Sequence, residues 1–194
     1  MWVRGAAIRP VPAYAVVPSH VLDDVEAELA ASGYGDNPDL DDAFSRFERT
    51  QPHLAQLAAT VLQKPLDETA LALGYFLNIA VWLAFERAFG PRLEEVTEGE
   101  LEAAQSAVAL EEELRAAHAE EPLDVEDVMA IEQPAVLAFL NEHVDAALEP
   151  ADREQRDVDV DDVHTVYRAA LVLTLALSHG VRPVGAEKPR ELLA

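Results

Sequence analysis

Polar residues set into apolar helical runs are where chemistry could sit in this chain, because an unpaired buried polar group costs about 1–3 kcal/mol. Asn78, Trp82 and Glu86 recur every four residues within the apolar run that ends at Phe89, so they share one side of a helix. Asp161, His164, Tyr167 and Arg168 cluster at similar spacing in the run that ends before Gly180. Facing each other across a helix pair, the two sets would line one pocket, with Asn78, Trp82, Glu86, His164 and Arg168 as its ligand-binding residues. The alternative is structural: Glu86 solvated near its helix end, Asp161 a helix cap, and Arg168 in an ordinary ion pair, since charged side chains are rarely buried alone.

Metal and catalytic patterns fare worse. A di-iron bundle needs Glu-x-x-His on two helices, yet no Glu stands three residues before any histidine, and Asp161-x-x-His164 is the nearest approach. There is no His-Glu-x-x-His, no phosphate-binding glycine loop and no EF-hand loop. The acidic stretch Asp152–Asp162 lacks the central Gly and terminal Glu of a calcium loop. The absence of Cys excludes a disulfide scaffold, a thiolate zinc site and a cysteine nucleophile. No serine has the glycine context of a nucleophile elbow. His53, His118 and His143 read as surface or satisfied histidines. The sequence thus predicts no metal or cofactor and assigns no catalytic residue; a non-enzyme is favoured, with an enzyme left open.

The elements that must position these residues are helical. Residues 1–18 read as an extended, proline-punctuated arm with Trp2 and Tyr14 as anchors, lying over a groove of its own domain or a partner subunit, or disordered. Ser19 caps a helix that stops at Gly33, and a second helix runs from about Asp39. Pro52 either starts a new helix or kinks that one. Asp67 caps the most apolar helix, which continues to Phe89 and should be central because apolar residues surround it. Thr97 and Glu100 form a capping box for the next helix. Further helices start near Asp124, at Pro134 and at about Asp161, the last ending at His179, and residues 181–194 read as a frayed tail. The expected fold is all-α, a single-domain bundle of six to eight helices spanning 19–180.

Gln-Pro occurs at Gln51-Pro52 and again at Gln133-Pro134, each time opening an apolar helix, a loop and a second apolar helix that ends in Gly. An offset of 82 superposes the prolines, and an offset of 90 pairs Gly90 with Gly180 and Arg92 with Arg182. The chain therefore reads as two related helical hairpins, about 39–92 and 124–182, with the longest helices adjacent at the centre. A pseudo-twofold axis or a solenoid step would relate them. Gln51 and Gln133 are expected to hydrogen-bond free backbone groups near the proline break.

Net charge is −23, and residues 94–162 hold 23 of the 37 acids but only three basic residues. Residues 19–93 carry only −7, so the acidity is concentrated on one part of the chain rather than spread as adaptation to high salt would spread it. Such a surface repels nucleic acid and anionic membranes and attracts cations or basic proteins; plain solubility is the bland reading. Arg9, Pro10, Pro12 and Pro18 break any secretory h-region. The expectation is a soluble, cytoplasmic interaction or regulatory module that meets a basic partner or itself. The alternative is a small-molecule- or metal-binding bundle.

Overall fold

The computed structural model describes residues 10–32, 38–117, 132–149 and 158–185. Within these lie seven α-helices: α1 (Ser19–Ser32), α2 (Pro38–Thr50), α3 (Pro52–Leu62), α4 (Glu68–Phe89), α5 (Glu98–Ala117), α6 (Pro134–Leu148) and α7 (Val160–His179). The described residues form no strand, only one isolated antiparallel bridge between Leu93 and Val181. The molecule is an all-α bundle. The helix expected from Asp124 falls outside the described residues.

α4 and α7 form the centre, buried on nearly every side. They run parallel, because they are tied together at both ends. At the N-terminal ends, the Asp67 carboxylate accepts from Ala70 N at 2.8 Å and from Asp159 N at 2.9 Å, while Asp162 accepts from Asp67 N at 2.7 Å. Asp159 in turn caps α7 by accepting from Asp161 N at 2.9 Å. These carboxylates sit where two helix dipoles present their positive ends. At the C-terminal ends, Glu94 N donates to Gly180 O and Arg182 N to Arg92 O, each at 2.9 Å. The tail expected to fray from residue 181 is thus anchored at its start, with Val181 buried.

Between these ties the helices approach closely at Gly74. A Cβ there would stand 2.7 Å from Leu62 Cδ2 and 2.9 Å from Val166 Cγ1. α1 packs along α4 and α5 along α7, while α3 and α6 each touch both central helices and α2 covers α3 and α4. By length and composition the segment Glu68–Arg92 could cross a membrane, but 67% of its most apolar window is buried within the bundle.

The capping box forms as expected: Thr97 N donates to Glu100 Oε2 at 2.8 Å, and Glu100 N to Thr97 Oγ1 at 3.3 Å. Pro52 and Pro134 each start a helix rather than kink one, and the preceding glutamines adopt matching non-helical backbones (φ/ψ −138/60 and −121/70). Both glutamine side chains are buried, yet neither bonds its own helix end. They reach backbone far away in the chain. Gln51 donates to Glu94 O at 2.8 Å and accepts from Val96 N at 2.9 Å. Gln133 donates to Ala15 O at 2.5 Å and accepts from Val17 N at 2.9 Å. Each amide therefore grips the C=O of one residue and the N–H two residues on, in a segment that leads straight into a helix. Gln133 also donates to Ser178 Oγ, whose hydroxyl back-bonds to Thr174 O.

Residues 10–18 lie against the bundle through Val11, Ala15 and Val17, with a 3-10 turn at Ala13–Ala15. Tyr14, expected as an anchor, is exposed. Trp2 lies outside the described residues.

Candidate functional site

The α4 stripe faces α2. Asn78 is buried, and its amide donates to Gly74 O one turn back at 2.7 Å, which satisfies the donor within the helix. Trp82 is buried against Phe47, their ring centroids 5.4 Å apart, and the Arg46 guanidinium lies 5.7 Å from the Trp82 ring centroid. Arg46 also pairs with Glu86 at 3.0 Å and Asp42 at 2.6 Å. Burial works against the Arg46 charge, but hydrogen bonding and attraction from Glu86, then Asp42, outweigh it and raise its pKa above the ordinary guanidinium value. Glu86 is therefore paired across helices rather than merely solvated at a helix end.

The α7 cluster faces elsewhere. His164 and Arg168 are exposed, Arg168 pairs with Glu112 of α5 at 3.0 Å, and Tyr167 donates to Asn141 of α6 at 2.9 Å. Asp161 is the first-turn residue whose N–H is capped; Asp159 is the cap. Asn78, Trp82 and Glu86 on one side, and His164 and Arg168 on the other, do not share a pocket. The reason is rotation about the helix axis: spacing fixes which residues share a stripe, but the neighbours of α4 and α7 fix where each stripe points.

Among the described residues three recesses stand out. One of about 320 Å³ lies between α3, α5 and α7; Lys64, Gln105, Glu112, His164, Thr165 and Arg168 supply its polar lining over an apolar floor that includes Val61 and Val172. A second, of about 190 Å³ between α2, α3 and α4, includes Asn78 and Glu48. A third, of about 210 Å³ between α1, α2 and α4, is almost wholly apolar. The second and third adjoin, sharing Phe44 and Tyr75. Tyr75 was not among the residues singled out from sequence. Its only signal was the apolar coverage around all of α4, more than its neighbours can bury.

Among the described residues no three His, Asp or Glu side chains gather as a metal site. Both carboxylate oxygens of Asp67 and one each of Asp159 and Asp162 accept from backbone N–H groups. His143 packs against Phe76 and Phe139 and lies 3.5 Å from Glu26, a satisfied histidine as its neighbours suggested. Comparison with family models, curated proteins and solved structures yields no match.

Proposed function

We propose that this chain is an acidic, soluble helical interaction or regulatory module of the cytoplasm that meets a basic protein partner or associates with itself. The observation that carries the reading is exposed, largely unneutralised acidity: Glu98, Glu102 and Glu113 on α5 and Glu142 and Asp145 on α6 all face solvent. A field of one sign steers a partner of the other and excludes nucleic acid and anionic membranes. The test is sedimentation of the pure protein together with cross-linking mass spectrometry of complexes captured at physiological salt. Cross-links from α5 and α6 to a basic protein or a second copy are expected. A protein that stays monomeric and captures nothing basic would end the proposal.

Within this reading the module consists of two related units. Support comes from the two glutamines, which share a backbone conformation, burial, a following proline helix and the same two-point grip. Gln51 of the first unit holds the segment before α5, between the two units, and Gln133 of the second holds the segment before α1, ahead of the first.

A second reading, a small-molecule site, is favoured by the 320 Å³ recess, where His164 and Arg168 join Lys64 beside an apolar floor. Thermal-shift screening with small carboxylates and phosphates tests it. A hit abolished by Lys64→Ala supports the reading, and a screen without any shift removes it.

A further inference from the structure

The Phe44–Tyr75 ring pair divides two recesses that together make one trough across the face of α4. On one side Leu29, Leu40, Phe76 and Ile79 surround about 210 Å³; on the other Phe47, Ala58 and Leu62 help surround about 190 Å³. The rings meet edge to face with centroids 6.0 Å apart. Tyr75 is 48% exposed, so the ridge between the recesses is accessible from solvent. Large half-exposed aromatics beside apolar pockets are the usual anchor points of interfaces.

The trough's charge is as informative as its shape. Glu48 is the sole charged residue lining either recess among the described residues. Helical spacing brings Asp41, three residues before Phe44, and Glu48, four residues after it, onto the same face of α2. Glu68, seven residues before Tyr75, shares its face of α4. Asp41, Glu48 and Glu68 are all exposed. An apolar floor with an acidic rim complements a segment whose apolar side chains are flanked by Lys and Arg. A second copy of a chain carrying −23 would bring like charge to the rim, and an anionic lipid surface would be repelled.

We infer that this trough is the docking groove for a basic amphipathic peptide segment of a partner protein, with one apolar anchor in each recess and its cations over Asp41, Glu48 and Glu68. The inference takes its basic partner from the interaction reading above and gives that partner a docking surface between α1, α2, α3 and α4, apart from the acidic faces of α5 and α6.

The experiment uses the full chain and a synthetic amphipathic helix of Leu and Lys, about five turns long, with a Leu and Glu counterpart. Binding is followed by fluorescence anisotropy at physiological salt. The Leu/Lys peptide binds with one-to-one stoichiometry and the Leu/Glu peptide does not. Ala72→Trp, which fills an exposed edge of the apolar recess, and Tyr75→Ser, which removes the ridge, each weaken binding by about tenfold or more. Asp24→Lys, exposed in the first half of α1 and lining neither recess, changes affinity by less than about twofold, and circular dichroism shows all three variants folded. Equal loss in Asp24→Lys and Tyr75→Ser would mean unspecific charge attraction: the groove fails while a basic partner stands. Unchanged affinity in both trough variants overturns the groove in the same way. Failure of the Leu/Lys peptide to bind also overturns it, and the cross-linking experiment decides the wider reading separately. Binding of a small apolar dye that Ala72→Trp abolishes, without peptide binding, would make the trough a small-molecule pocket and end the docking proposal.

Discussion

A side-chain amide carries one acceptor and one donor group on the same planar unit, so a single glutamine can satisfy a C=O and an N–H of an extended segment together. In Gln51 and Gln133 that capacity is used on backbone that a neighbouring strand would otherwise have to pair. Truncation leaves both backbone groups without partners, and a buried group so exposed costs about 1–3 kcal/mol. Gln133→Ala is expected to destabilise by about 2–4 kcal/mol, because Ala15 O, Val17 N and Ser178 Oγ all lose a partner in a buried site. Gln51→Ala should cost less, about 1–3 kcal/mol, since its bond to Glu94 O is only partly buried. Urea unfolding measures both, and a loss under about 0.5 kcal/mol in either would mean that the grip is not holding the segment. The glutamines were legible as a repeated Gln-Pro pair with a structural role. Their partners were not, because hydrogen bonds spanning 116 and 118 residues leave no local spacing to read.

At the scale of the element, most of what could be read locally formed as expected, the cap of α7 at Asp159 rather than Asp161 being the exception. The Asp67 cap, the Thr97–Glu100 box and the proline starts of α3 and α6 depend on residues within one turn, and all are present. The pairing of α4 with α7 followed from their all-round apolar character. The lateral orientation of their polar stripes did not, since α2 claims Trp82 and Glu86 while α5 claims Arg168. Gly74 sits where α4 comes close to Val166 of α7, and it separates two opposing effects. Alanine would gain about 1 kcal/mol in helix propensity. Its Cβ, however, would overlap Val166, a β-branched residue with little rotamer freedom, as well as the more adaptable Leu62. Overpacking of this kind costs about 1–3 kcal/mol, so Gly74→Ala is expected to destabilise or at best break even. Gly99→Ala, in the first turn of α5 with no atom near its added Cβ, should stabilise by up to about 1 kcal/mol. Thermal unfolding of the two variants provides the comparison. A clear gain from Gly74→Ala would show that the central helices are less tightly apposed.

For the whole molecule, charge opposes the compaction that the core drives. The ion pairs Arg46–Glu86, Arg87–Glu28 and Arg168–Glu112 between helices, and Arg182–Glu94 between loops, each include partly or largely exposed partners. Such pairs are worth about 0–1 kcal/mol and weaken with salt. Self-repulsion of a chain at −23 acts over longer distances and is also screened by salt, but in the stabilising direction. The two responses have opposite signs, and the excess of acids over bases decides between them. Raising NaCl from about 0.01 to 0.15 M shortens the screening length from about 30 to 8 Å, and the melting temperature should rise by about 3–6 °C. The rise should level off by about 0.3 M, where the screening length falls below typical separations between surface carboxylates. A continued climb into molar salt would instead mark a protein dependent on concentrated electrolyte, and would remove the need for a basic partner to explain the acids. A fall in melting temperature would mean that the ion pairs outweigh the repulsion. The plateau alone fits a surface whose charge is kept for a partner, because the same salt range should then loosen the complex while stabilising the free chain.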